Sequence, residues 1–314
     1  MTKRPVKKKV IVFILAGTFV SAWIFLAASR KSSADYSQRL AEFERISAAL
    51  GARADIVSFY YKDLSDNFEY YHRPDDPYPS ASLVKLPVMA CVMAAVEENR
   101  LPPDLSIVYR SRHRVGGSGS LRYSRYGRRV GLDELTYRMI VESDNVATNM
   151  ICDTLGLGYI NEKMLGWGMD VTDMKRWVLD LRRRNQGVEN YTTSREMGML
   201  LEKIYRGQLV SRRASMQMLE IMKNQHYRNR IPRYLPPGVV VANKTGLMRN
   251  VVHDAGIIYS TDGDYVLCVL TRDIPSKTAA RLIGEISHLI YDVHASQKDT
   301  GAAKKDVSTV RLPS

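Results

Sequence analysis

The chain has 314 residues, of which 45% are hydrophobic and 25% charged, and carries a formal net charge of +13. That balance describes a folded chain with a sizeable core and excludes a low-complexity or collagen-like one. Three cysteines cannot build a disulfide framework, and Cys91, Cys152 and Cys268 all sit in apolar runs, where buried free thiols are the expected state. The six histidines show no metal-ligating spacing, so neither a metal nor another cofactor is expected. The basic excess favours anionic neighbours such as phospholipid or wall polymers. Zinc spacing, a basic zipper and an aromatic-basic RNA signature are all absent from the sequence, so nucleic acid is not an expected partner.

Residues 1–9 carry Lys3, Arg4, Lys7, Lys8 and Lys9 and lead into an uncharged apolar run from Val10 to Ala28. The run suits one crossing of a bilayer, and its basic flank marks the cytoplasmic side. Residues 10–29 therefore read as a signal-anchor that leaves the rest of the chain outside the cytoplasmic membrane, at the cell surface or in a periplasm. A cleaved signal peptide is the competing reading, supported by the small residues Ala27-Ala28-Ser29; both readings export the remainder. Residues 30–35 form a polar linker.

Leu40, Phe43, Ile46 and Leu50 recur at helical spacing. Ala54 to Leu64 reads as a strand with a hairpin partner at Phe68 to His72. Pro74, Pro77 and Pro79 then interrupt the chain. Ser80 to Glu98 predicts a helix that is apolar nearly all round, hence buried, with Pro87 removing one backbone bond. Gly116 to Gly119 reads as a flexible loop, Leu132, Leu135, Met139 and Ile140 as a helical stripe, and Val146 to Leu155 as the next helix. Ser194 to Arg206 and Ser215 to Asn224 are further helices. Val239 to Val241 is a strand expected to end at Lys244 and Thr245. Ala255 to Ser260 and Tyr265 to Thr271 follow as strands joined at Asp262-Gly263, and Ser276 opens a last helix. Residues 295–314 read as a loose tail. The order predicts an α+β fold. One lobe, 36–75 plus 206–294, is an α/β sandwich whose antiparallel sheet is flanked by the terminal helices. The inserted lobe, 76–205, is all-helical, and the active groove lies between the two.

Three short motifs carry chemistry: Ser82-Leu83-Val84-Lys85, Ser143-Asp144-Asn145 and Lys244-Thr245-Gly246. Ser82 is a nucleophile near a helix start, where unpaired N–H groups can receive an oxyanion. Lys85 lies one turn on, and burial lowers its proton affinity so that the neutral amine can take the Ser82 proton. The Ser143 hydroxyl both donates and accepts and can pass a proton to a leaving nitrogen. Asn145 can hold a substrate carbonyl and the Lys85 amine together, and Asp144 suits a helix cap. Lys244 and Thr245 offer a cation and a hydroxyl to a substrate carboxylate, with Gly246 allowing close backbone approach.

The trio resembles the penicillin-recognising serine enzymes, most of all the class A β-lactamases. Ser82 and Ser143 are 61 residues apart, and Ser143 and Lys244 are 101 apart, close to the class A pattern. Gly116 to Gly119, Ala147-Thr148-Asn149 and Thr192-Thr193 are lesser matches, and the likeness spans Leu40 to Val293. The resemblance implies an acyl-enzyme on Ser82, formed with a β-lactam or a D-alanyl peptide. It also implies an oxyanion hole from the backbone N–H groups of Ser82 and Leu247. One departure stands out. Hydrolysing members carry Arg-x-Glu-x-x-Leu-Asn in an Ω loop, its Glu activating the deacylating water; this chain reads Arg176-Trp177-Val178-Leu179-Asp180-Leu181-Arg182. Val178 takes the glutamate place and Arg182 the asparagine place, which predicts acylation with slow release. Asp180 and Glu189 are the acids that a rebuilt loop could use instead. Leu247-Met248-Arg249-Asn250 is bulkier than usual and is expected to narrow the acyl pocket. A D-alanyl-D-alanine peptidase or transpeptidase, a β-lactam-binding protein that stays acylated, and an amidase such as a glutaminase are the alternatives.

Overall fold

The structure, a computed structural model, describes residues 35–296. The signal-anchor read at 10–29, the flank before it and most of the tail lie outside the described residues. Among the described residues no helix is long and apolar enough to cross a membrane.

A five-stranded antiparallel sheet runs in the order β2-β1-β9-β8-β7. Its strands are β1 (Val57–Asp63), β2 (Glu69–His72), β7 (Val240–Met248), β8 (Val251–Tyr259) and β9 (Tyr265–Arg272). The two sequence-distant halves meet where β1 pairs β9, from Val57 against Thr271 to Asp63 against Tyr265. Both faces of the sheet are covered, so alternation gives way to near-continuous apolar strands. Phe59, Tyr61, Leu267 and Val269 point to one core, with helix α1 (35–49) and helix α9 (Ser276–Ser296) packed there. Tyr60, Val266, Cys268 and Leu270 point to the other core, shared with the helical block. The three cysteines are buried and free.

The helical block comprises α2 (Lys85–Glu97), α3 (Leu132–Val141), α4 (Asn145–Leu155), α5 (Leu157–Gly166), α6 (Leu181–Asn185), α7 (Ser194–Tyr205) and α8 (Arg212–Lys223). The expected antiparallel sheet with terminal helices and an α+β architecture is what the chain forms. Helix α2 begins five residues later than the apolar pattern predicts, so Ser82 occupies a turn before it. Pro87 is then the third helical residue, where an N–H has no partner within the helix anyway, and no bond is lost. Strand β7 does not end at Lys244 and Thr245 but carries the whole Lys244-Thr245-Gly246 segment. Two small pairings were not foreseen. β3 (Tyr78–Pro79) pairs β6 (Tyr191–Thr192), and β4 (Ser106–Val108) pairs β5 (Arg129–Gly131). The first holds the approach to Ser82 against the end of the Ω loop.

Gly198 marks where α7 crosses the sheet: a Cβ there would overlap the Tyr60 ring. Gly198→Ala should destabilise the fold by about 1–3 kcal/mol despite alanine's better helix propensity, read as a lower urea midpoint with unchanged slope.

Candidate active site

Three segments converge. The first is the turn at 81–84. Its hydrogen bonds run from Leu83 N to Ser80 O at 3.0 Å, Lys85 N to Ser82 O at 3.3 Å and Leu86 N to Leu83 O at 2.9 Å. Among the described residues these leave the Ser82 N–H unengaged. Ser80 N–H donates to Asn190 O at 2.8 Å, and Ala81 adopts a left-handed φ of 47°. A Cβ on Gly246 would meet Ala81 Cβ and His253 Cβ each at 3.3 Å, so glycine lets β7 close on the turn that carries Ser82. His253 Nδ1 accepts the Thr271 N–H at 3.2 Å, which leaves Nε2–H to donate to Pro79 O at 2.8 Å. Burial pushes this imidazole down to about 4, so it is a neutral strut between the sheet and the Ser82 segment.

The second segment is Ser143-Asp144-Asn145. Asp144 caps α4: Oδ1 accepts the Ala147 N–H at 2.9 Å while Oδ2 accepts the Leu121 N–H at 2.8 Å. Ser143 is held at a φ of 55°, a conformation that costs a non-glycine residue about 1–2 kcal/mol. Two glycines of the 116–119 loop, Gly117 and Gly119, allow close approach. A Cβ on Gly117 would come within 2.6 Å of Asn145 Nδ2, and one on Gly119 would run into Asp144.

These supports surround one buried amine. Lys85 Nζ donates to Ser143 O at 2.7 Å, Asn145 Oδ1 at 2.8 Å and Ser143 Oγ at 3.2 Å. Lys244 Nζ, from the third segment, reaches the same Ser143 Oγ at 3.0 Å and Thr245 O at 2.7 Å. Both lysines are fully buried. Burial lowers Lys85 to about 7, with Asp144 pulling it back upward. Burial also holds Lys244 well below its ordinary range, reinforced by repulsion from Lys85 and Arg230.

A cavity of about 480 Å³ opens over the cluster. Ser82, Asn145 and Leu247 line it, whereas Lys85, Ser143, Lys244, Thr245 and Gly246 are buried. The hairpin register accounts for Leu247. Met248 and Val251 close a two-residue turn as a hydrogen-bonded pair, so the next pair, Leu247 with Val252, turns its backbone groups away from the partner strand. Strand β7 is an edge, so the Leu247 N–H is free to point off it. A larger, mainly apolar groove of about 920 Å³ between α2, α3 and α8 contains none of the predicted site residues.

The Ω loop presents Val178 to the cavity. Asn149 Oδ1 accepts the Val178 N–H at 3.1 Å and its Nδ2 donates to Val178 O at 3.3 Å. That doubly held backbone was not read from sequence, although Asn149 stands one helical turn after Asn145. The two candidate acids have other partners. Asp180 Oδ1 accepts the Arg183 N–H at 3.1 Å and caps α6. Glu189 binds Arg176 and lies 3.3 Å from Arg184 Nε. Arg122, Arg176 and Arg184 also line the cavity, which sequence reasoning missed.

The sequence matches the model of the β-lactamase enzyme family over residues 42–294. The chain belongs to that family. It is 22% identical to β-lactamase CARB-3 of Pseudomonas aeruginosa, covering 91% of this chain and 99% of the relative. It is also 22% identical to the β-lactamase regulatory protein BlaB of Streptomyces cacaoi, covering 75% of this chain and 91% of the relative. Among solved structures, a mutant of PBP-A in acyl-enzyme complex with penicillin G superposes with a TM-score of 0.76 at 26% identity, covering 82% of this chain and 97% of that one. A β-lactamase from Sphaerobacter thermophilus gives 0.74 at 28% identity, covering 80% and 96%. Family membership makes the chain a serine hydrolase of β-lactamase type.

The Lys85 amine should titrate near 7, seen by NMR of an Nζ-labelled protein, with the neutral form growing as pH rises through that value. A titration near the ordinary lysine value of about 10.4 would contradict the burial argument.

Proposed function

We propose that the protein opens β-lactams by forming an acyl-enzyme on Ser82 and releases the product slowly, as a membrane-anchored enzyme acting outside the cytoplasm. The observation that carries this reading is the Lys85 amine, buried and hydrogen-bonded to Ser143 and Asn145 beneath a cavity lined by Ser82. Neutral Lys85 takes the Ser82 hydroxyl proton as Oγ attacks the lactam carbonyl. The oxyanion is received by the N–H groups of Ser82 and Leu247. Ser143, between the two lysines, returns a proton to the leaving nitrogen, while Lys244 and Thr245 hold the substrate carboxylate and Asn145 the side-chain amide.

Slow release follows from Val178. The position carries no proton acceptor, and Asp180 and Glu189 are engaged elsewhere. The lack of a general base lowers the step it would serve by about 10²- to 10⁴-fold. The same feature supports a second substrate reading, a D-alanyl peptide of the wall, whose acyl-enzyme is resolved by an acceptor amine. The uncharged run 10–28 behind its basic flank supports the anchor, and the basic excess suits anionic wall polymers.

A chromogenic β-lactam should give a burst of one equivalent, with a stable adduct on Ser82 by mass spectrometry and none in Ser82→Ala; fast sustained turnover would refute slow release. Release of D-alanine from a wall pentapeptide would establish the peptidase reading. The acylation rate should rise with pH through about 7 as Lys85 loses its proton, and Lys85→Ala should lower it by about 10²- to 10⁴-fold. Val178→Glu, on a backbone already held by Asn149, should speed deacylation by about 10²-fold, measured as decay of the adduct.

A further inference from the structure

We propose that the cavity wall made by the 116–122 loop and the Ω loop is a second anion subsite, selecting acyl donors that carry a carboxylate on the acyl side of the scissile amide. This deepens the acyl-enzyme reading and rests on it. The charged residues lining the cavity are Arg122, Arg176, Arg184 and Glu189, three cations against one anion. The two loops form one wall, since Leu179 Cδ1 lies 3.1 Å from where a Gly117 Cβ would be.

The three arginines differ in what they have left to offer. Arg176 is committed to the loop, donating through Nε to Val188 O at 3.1 Å, through Nη1 to Trp177 O at 3.1 Å, and through Nη2 to Glu189. Glu189 is thereby largely neutralised before Arg184 reaches it. Among the described residues Arg184 pairs with Glu189 through Nε at 3.3 Å, no hydrogen bond from its Nη groups is formed, and its side chain is 40% exposed. Both its Nη groups remain available for a carboxylate fork. Arg122 donates through its Nη atoms to Gly117 O and the Tyr123 hydroxyl, and its buried Nε has no hydrogen-bond partner. This wall is built from segments other than β7, which carries Lys244 and Thr245, so a donor with two carboxylates can be read by both. A concave, partly apolar cleft strengthens the field of the uncompensated guanidinium groups.

Carbenicillin and benzylpenicillin differ only by a carboxylate on the side-chain α-carbon, and the second-order rate of Ser82 acylation by each is the test. Wild type should favour carbenicillin by about fivefold, a margin that shrinks between about 50 and 500 mM NaCl. Arg184→Gln and Arg122→Gln should each bring the ratio towards one, and Arg184→Lys should retain most of it. A ratio near one in wild type, or one unchanged in both glutamine variants, overturns the subsite while leaving acylation standing. Failure of both penicillins to label Ser82 overturns the acyl-enzyme reading and the subsite with it.

Discussion

The Lys85 amine, removed from water and held by two oxygens of Ser143 and one of Asn145, is the constraint around which the site is arranged. A buried ammonium is expensive unless paired, and no carboxylate of the described residues forms an ion pair with it. Its direct partners are acceptors without charge, so burial outweighs them and the Asp144 charge and lowers its proton affinity to about 7. The second lysine, Lys244, works against protonation of the first, because both address Ser143 Oγ. Two cations around one hydroxyl repel strongly at low dielectric, so the pair favours carrying fewer than two protons.

Holding that amine takes strained and closely packed backbone. Ala81 and Ser143 sit at φ values of 47° and 55°, the first beside Ser82 and the second between the two lysines. Such conformations persist where surroundings over-determine them, and here they do. Gly246 packs on Ala81, His253 ties Pro79 to Thr271, and the Ser143 carbonyl accepts from Lys85. The glycines at 117 and 119 let the neighbouring loop press onto Asn145 and Asp144. Sheet, helix and loop thus meet at one cluster with little freedom to move apart.

The Ω loop keeps its scaffold while changing its chemistry. Asn149 grips Val178 through both backbone groups, and Asn190 receives the Arg176 N–H at 3.0 Å and returns Nδ2 to Arg176 O at 3.0 Å. The place for an acid is therefore rigid, but an apolar side chain fills it. The loop's charge is instead invested in arginines, with Glu189 serving as their counter-ion.

Local sequence determined much of this protein. Apolar periodicity revealed the sheet strands, the buried α2 and the terminal helices, and the three motifs named Ser82, Lys85, Ser143, Asn145 and Lys244 before any contact was known. Those signals are legible because burial patterns and reactive residue types are written in neighbouring positions. Tertiary structure decided the rest. Ser82 lies in a turn rather than a helix because backbone bonding and the β3–β6 pairing override the apolar pattern. Asp180 and Glu189 were equivalent candidates as letters, and only their partners, the Arg183 N–H and two guanidinium groups, show how each is engaged. The proton affinity of Lys85 depends on exclusion of water by segments about 60 and 160 residues away, a quantity that no short window of sequence contains.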